Sequence, residues 1–214
     1  MSVAACVAGE VRAGCNVIAI TISSKLSGSY NSACAAKDMV LEEQPDKKIA
    51  VIDSRSAGSE LVLLVKKICE LIESGADFET VVEKAELYSR HTHVVFALSS
   101  FNNLVKNGRM SKIVGFVANK LGFWGIGIGS EQGTIEIKQK IRGSKKALDA
   151  IIEDMKERGY NCGKVVISHC RNAEFAESVK SAIQSVWDKA EVKIVHARGL
   201  CSYYAEKGGL IIGF

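Results

Sequence analysis

Two hydrophobic rhythms alternate along this chain, and the switch from one to the other marks its elements. Val17-Ile18-Ala19-Ile20-Thr21-Ile22 is an unbroken run rich in β-branched residues, too short for a buried helix, and predicts a strand covered on both faces. It stops at Ser23-Ser24 and passes through the small-residue loop Lys25-Leu26-Ser27-Gly28-Ser29. The Ala-rich segment from Tyr30 has spaced apolar positions and predicts a helix over residues 30–43. Pro45-Asp46 turns the chain, and Lys48 to Asp53 is a second short buried strand, ending on the polar stretch Asp53-Ser54-Arg55-Ser56-Ala57-Gly58. An amphipathic helix follows from Glu60 to Ser74, closed by Gly75, and another runs to about Arg90 with Asp77 as its N-cap. Strand, helix, strand, helix, helix is the order of a doubly wound domain. Met1 to Gly14 reads as the tail of a helix with a glycine stop, an unusual opening for such a domain, so the expectation is that an earlier strand is missing.

Past residue 90 the texture changes. His93 to Leu98 predicts a strand, Ser100 caps a short helix reaching Lys106, and Asn107-Gly108-Arg109-Met110-Ser111 turns into a helix from Lys112 to Leu121. Gly125-Ile126-Gly127-Ile128-Gly129 and Gly133 to Lys140 form a hairpin. Helices over 144–159 and 173–186 and strands over 164–168, 192–196 and 209–214 complete the pattern. The predicted fold class is α/β with two α/β domains: residues 1–90, with a mainly parallel sheet and helices on both faces, and residues 91–214, α+β with a mixed sheet. No Pro/Gly/Ser-rich linker separates them, so they should pack closely.

Composition narrows the function. With 214 residues, 47% hydrophobic, the chain can bury a large core. No run approaches the roughly 18 apolar residues of a membrane span and no basic-then-apolar leader is present, so a soluble cytoplasmic protein without stable membrane insertion is expected. The net charge of +4 comes from cations interleaved with acids, which argues against nucleic acid as a partner. Seven scattered cysteines, none in CxxC spacing, predict reduced core thiols rather than disulfides. His91 and His93 have no acidic or Cys partner at ligand spacing, and no metal or other cofactor is expected.

The candidate chemistry lies where the first strand ends. Ser23, Ser24 and Ser27, with Gly28 and the N–H groups of the following helix, gather donors at the carboxyl end of a parallel strand, where open α/β sheets bind ligands; the fitting guest is an anion. A plain cap on the helix is the alternative for Ser27. A serine hydrolase or transferase using Ser27 would want a Gly two residues earlier, where Lys25 stands. A nucleotide site would want GxGxxG or GxxxxGK[ST], and neither follows the strand. His169-Cys170 is no nucleophile and base, because neighbours on a strand point to opposite faces.

Four ordered motifs carry a resemblance: Ile20 to Ala33 (ITISSKLSGSYNSA), Val51 to Ala57 (VIDSRSA), Asn107 to Lys112 (NGRMSK) and Lys140 to Leu148 (KIRGSKKAL). Together they make the chain similar, over essentially its whole length, to the DegV family of bacterial fatty-acid-binding proteins. The resemblance implies two α/β domains enclosing one long-chain fatty acid, its tail in an apolar tunnel and its carboxylate at the interdomain cleft. It also implies a carrier rather than an enzyme, one that presents the acyl group to a separate fatty acid kinase. Carried over by motif, Ser27 and Gly28 bind the carboxylate, with Ser23 and Ser24 in support. The family's His near the carboxyl terminus falls closest to Tyr204, which donates but does not titrate near neutrality. Phe96, Phe101, Leu121 and Phe123, with Trp124, are the acyl-tail candidates, and Arg109 and Arg142 the candidates for docking a kinase.

Overall fold

A computed structural model describes residues 3–110 and 122–214, and the expected helix over 112–121, with Leu121, lies outside the described residues. After α1 (Val3–Arg12), β1 (Val17–Thr21) pairs in parallel with β2 (Ile49–Asp53), Val17 opposite Ile49 and Thr21 opposite Asp53. The connection is α2 (Ser29–Glu43), and α3 (Ser59–Glu73) and α4 (Phe78–Ser89) follow. Asp77 caps α4 as expected, its Oδ1 accepting from Thr80 N at 2.8 Å. Ile52, Leu64, Ile68, Leu71, Val81 and Ala85 bury one core between this small sheet and α3–α4.

The remaining strands make one mixed sheet: β3 (Val94–Leu98), β4 (Phe123–Gly129), β5 (Ile135–Arg142), β6 (Lys164–His169), β7 (Glu191–His196) and β8 (Leu210–Gly213). Their spatial order is β5-β4-β3-β8-β6-β7, antiparallel except for the β6–β7 pair. Between them run α5 (Asn102–Lys106), α6 (Ser144–Glu157), α7 (Ala173–Val186) and α8 (Gly199–Ala205).

The period-two alternation of the strands decides what each face does. Val95, Ala97, Ile126, Val165, Ile167 and Ile212 point to one face, where they form the largest core with α6 and α7. On the opposite face Phe96, Leu98 and Ile211 look toward the first ninety residues. The GIGIG run of β4 obeys the same rule, with its isoleucines on the α6–α7 side and its glycines on the other. A Cβ at Gly127 would sit 2.2 Å from Phe96 Cε2, and one at Gly129 would sit 2.7 Å from Val94 Cγ1. Hairpin register thus accounts for only half of what this run does, since its glycines also leave room for the β3 side chains.

The two sheets are stitched by buried polar contacts. Ser59 Oγ at the start of α3 donates to the Ile211 carbonyl at 2.7 Å and lies 2.8 Å from Ser168 Oγ, while Ser23 Oγ donates to the Gly133 carbonyl at 2.7 Å. Gly133, at φ +82°, is the residue this approach requires: a Cβ there would meet Ser23 Oγ at 2.3 Å. Lys164 of β6 pairs with Glu70 of α3 at the surface.

Two points depart from the sequence pattern. The segment 199–205, to which the pattern assigns no element, is the helix α8; it is short, begins on Gly199 and has no side-chain cap, so it carries little helical signal. The cysteines are free, but they are not core thiols: Cys6, Cys15, Cys69 and Cys162 are exposed, and Cys34, Cys170 and Cys201 are only partly covered. Apolar neighbours in sequence do not make a buried position when a helix turns the cysteine outward.

Candidate functional site

Between the two sheets lies a cavity of about 210 Å3 whose wall is polar at one end and apolar elsewhere. The first ninety residues contribute the ends of both parallel strands, Ile22, Leu26 and Ser27 after β1 and Arg55 to Gly58 after β2. The opposite wall comes from the mixed sheet: Val94, Phe96 and Leu98 of β3, the hairpin residues Gly129 and Gly133 to Ile135, and Ile211 of β8. Leu104 of α5 and Leu200, Cys201 and Tyr204 of α8 close it, with Arg109 beside them.

The polar end is assembled by local backbone geometry. The Ser23 carbonyl accepts from the Leu26 and Ser27 amides at 2.9 and 3.1 Å, which folds the loop into a tight turn. Ser27 Oγ in turn accepts from Ser29 N at 3.2 Å, so it both shapes the entrance to α2 and lines the cavity. The two readings offered for Ser27, cap and ligand donor, are compatible: a hydroxyl that accepts from one neighbour still has its own proton to give. Beside it Ser29 Oγ is buried with no hydrogen-bond partner among the described residues. An unmet buried hydroxyl of this kind costs about 1–3 kcal/mol.

Two arginines set the charge there. Arg109 Nε donates to the Leu26 carbonyl at 3.2 Å, which ties the NGRM turn to the Ser27 loop across the cavity mouth. Arg55 is held at φ +52°, its amide donating to Asp53 Oδ1 at 3.0 Å, and the same carboxylate oxygen accepts from Ser24 N at 3.1 Å. Asp53 therefore braces both loops. Among the described residues that line the cavity there is no aspartate, glutamate, lysine or histidine, so the titratable charge facing its interior is cationic. The Cys201 thiol has its pKa raised by burial, which favours the neutral thiol on that wall.

The structure sorts the residues singled out in the sequence. Ser27, Tyr204, Phe96 and Arg109 converge on the cavity. Tyr203, the neighbouring phenol, faces the surface and accepts from Asn107 Nδ2 at 3.0 Å. Gly28, Ser24 and Ser23 lie outside the wall. Gly28 sits at the N-cap of α2, Ser24 takes part through its amide, and Ser23 is fully buried with its hydroxyl committed to Gly133 and to Lys25 N. Phe101 is core, edge-on to Phe96 at 6.1 Å. Phe123 lies under Lys140 and Arg142, 5.1 and 5.7 Å from its ring centroid, and Trp124 packs on Phe175 in the main core. Arg142 is exposed away from the mouth. Arg55, Ser56, Thr134 and Leu200 were not foreseen as wall residues; the VIDSRSA motif was the available signal for the first two.

No group of three or more His, Cys, Asp or Glu among the described residues is placed to hold a metal, and no helix among them is long and apolar enough to cross a membrane. His91 and His93 precede β3, and His93 packs on Phe214.

Comparison with known proteins gives this geometry a setting. Residues 3–214 match the family described as "Uncharacterised protein, DegV family". A DegV domain-containing protein of Streptococcus pyogenes serotype M1 is 46% identical over 199 residues, 93% of this chain and 71% of that protein. Among solved structures, the Streptococcus pneumoniae Fatty Acid Kinase (Fak) B3 protein, crystallised loaded with linoleic acid, superposes with a TM-score of 0.89 at 44% identity, covering 93% of this chain and 71% of that one. A DegV family protein from Eubacterium eligens, loaded with heptadecanoic acid, gives the same TM-score at 38% identity over 93% and 72%.

Proposed function

The chain belongs to the DegV family, and on that footing we propose that it binds one long-chain fatty acid in the cavity between its sheets and presents the carboxylate to a separate fatty acid kinase. The observation that carries the reading is the division of the cavity wall, cationic and hydroxyl-bearing at the Ser27 end and apolar along Phe96, Leu98, Ile135 and Ile211. An ionised carboxylate taken out of water needs several donors, and Ser27, Tyr204, Arg55 and Arg109 are the side chains placed to give them. Relatives of matching fold hold linoleic and heptadecanoic acids, which have this division of polar head and apolar tail. Residues 1–90 then act as the domain that holds the carboxylate and 91–214 as the domain that covers the tail.

Magnitudes divide the work between the two ends. Burial contributes about 0.8 kcal/mol per methylene, so a long tail gains on the order of 10 kcal/mol before ordering costs. A hydrogen bond to a charged group adds about 1.5–3 kcal/mol. The tail sets affinity, and the Ser27 end sets which end of the ligand faces outward. Arg109 at the mouth is the stronger of the two candidates for meeting a kinase, because it is continuous with the head-group loop through Leu26.

In this reading the chain is a cytoplasmic carrier without catalysis of its own. A hydrolase using Ser27 would need a base beside it, and the described wall supplies arginines instead. Ser27→Ala should weaken fatty acid binding by about tenfold or more, one charged hydrogen bond, while the protein stays folded with only the small stability loss of the Ser29 amide's acceptor. Unchanged affinity would remove Ser27 from the site. Incubating the loaded protein with a fatty acid kinase and ATP, then trapping acyl phosphate as the hydroxamate, tests the carrier step; no hydroxamate would contradict it.

A further inference from the structure

Glu60, in the first turn of α3, is only 6% exposed, and among the described residues it makes no ion pair. Its two carboxyl oxygens are held by hydroxyls from opposite sides. Thr92 Oγ1 donates to Oε1 at 2.6 Å, and Ser56 Oγ donates to Oε2 in a very short contact. Ser56 belongs to the wall of the acyl cavity. Thr92 belongs to a different cleft, of about 350 Å3, between α3 and the segment 158–164. Glu60 thus separates two cavities and holds one hydroxyl on each.

An ionised carboxylate can only accept, so both hydroxyls must turn toward it and Ser56 has no proton left for the acyl cavity. A protonated carboxyl supplies a proton of its own and needs one hydroxyl fewer. We propose that Glu60 is a positioning residue for the head-group end: it takes up a proton when an anionic head group occupies the cavity, and this releases the Ser56 hydroxyl to donate to that group. The proton comes from solvent. It stays on Glu60 Oε2 and is donated to Ser56 Oγ, whose own proton turns to the ligand carboxylate; only hydrogen bonds change. The inference rests on the fatty acid reading above.

The surroundings favour this exchange. The groups facing the carboxyl are Ser56 from the β2–α3 loop, Thr92 before β3, and the more distant charges of Tyr88 when ionised, from α4, and Arg158, after α6; β8 packs its Gly213 against the Glu60 backbone. Burial raises the Glu60 pKa, and the hydrogen bonds from Ser56 and Thr92 and the charge of Arg158 only partly oppose it. A ligand carboxylate nearby adds like charge and raises it further. Binding therefore takes up a proton over the pH range between the unliganded and liganded values, and affinity falls as pH rises through that range.

The test is calorimetric titration with dodecanoate, which remains monomeric, in phosphate and in Tris, buffers of different ionisation enthalpy, on the wild type and Glu60→Gln. The expected result is up to about one proton more taken up per ligand by the wild type, and an affinity that falls by up to about tenfold per pH unit only when Glu60 is present. Ser56→Ala, with Glu60 intact, removes a hydrogen bond that favours the ionised form, so the window of proton uptake should move to higher pH, which keeps the test independent of how Glu60→Gln folds. Equal proton counts in all three proteins, each binding dodecanoate, would overturn the role of Glu60. No binding by the folded wild type would overturn the fatty acid reading and this inference with it.

Discussion

The ring of Phe96 lies over Gly127, its register partner across β3 and β4, at a distance that leaves no room for a Cβ. The glycine lets an aromatic ring lie flat on the sheet, so that Phe96 forms cavity wall instead of filling the cavity. Gly127→Ala would push the ring toward the ligand. We expect a loss of about 1–3 kcal/mol in stability, typical of overpacking, together with weaker binding of long-chain fatty acids. Urea unfolding and ligand titration of the same variant check both; full stability and full affinity would show that the ring has somewhere else to go.

Ser23 tests the stitching of the sheets. Ser23→Ala leaves the buried Gly133 carbonyl without its donor and should cost about 1–3 kcal/mol in urea unfolding. Its hydroxyl is spent on structure, so the affinity of variants that remain folded should change far less than in Ser27→Ala. A large affinity loss at unchanged stability would restore Ser23 to the carboxylate site.

The adjacent phenols of α8 make a matched pair. Tyr204→Phe removes a hydroxyl from the cavity wall and should weaken binding by about 1.5–3 kcal/mol, the worth of one hydrogen bond to a charged group. Tyr203→Phe removes an acceptor from Asn107 at the surface and should leave affinity within error. The reverse order would mean that α8 presents its other face when a ligand binds.

Acid stability should reflect His93. Burial, and next the charge of Arg158, lower its pKa below the ordinary 6.5, so the unfolded chain binds this proton more readily than the native one. Stability therefore rises with pH between the lowered native value and 6.5, and is lost as pH falls through that window. His93→Phe keeps a ring against Phe214 without titrating, and its stability should be flatter over that window than the wild type's. Identical profiles would mean that other groups govern the acid limb.

What could be read from the chain divides along a physical line. Val17–Thr21 and Ile49–Asp53 were legible as strands because short runs of β-branched residues favour them, although the expected cover on both faces is incomplete, every residue of β1 being only half-buried; Ser27 was legible because a small-residue loop before a helix has few other uses. The fates of neighbouring hydroxyls were not legible. Ser23 and Ser27 differ in role only because Gly133, more than a hundred residues away, comes within hydrogen-bonding reach of one of them. Glu60 looked like an ordinary polar position in the first turn of a helix, until packing against β8 placed it behind Ser56. Phe101 and Phe123 could not be told from Phe96 by type. The face Phe123 takes depends on strand register, and the place of Phe101 on how α5 starts, which pattern alone leaves open.

The most direct test of the central claim is native mass spectrometry of the protein purified without added lipid, followed by organic extraction and identification of what is released. One long-chain fatty acid per chain, displaced by denaturation and absent or depleted in Ser27→Ala, is the predicted result. A folded protein that carries no lipid and takes none up when offered would contradict it.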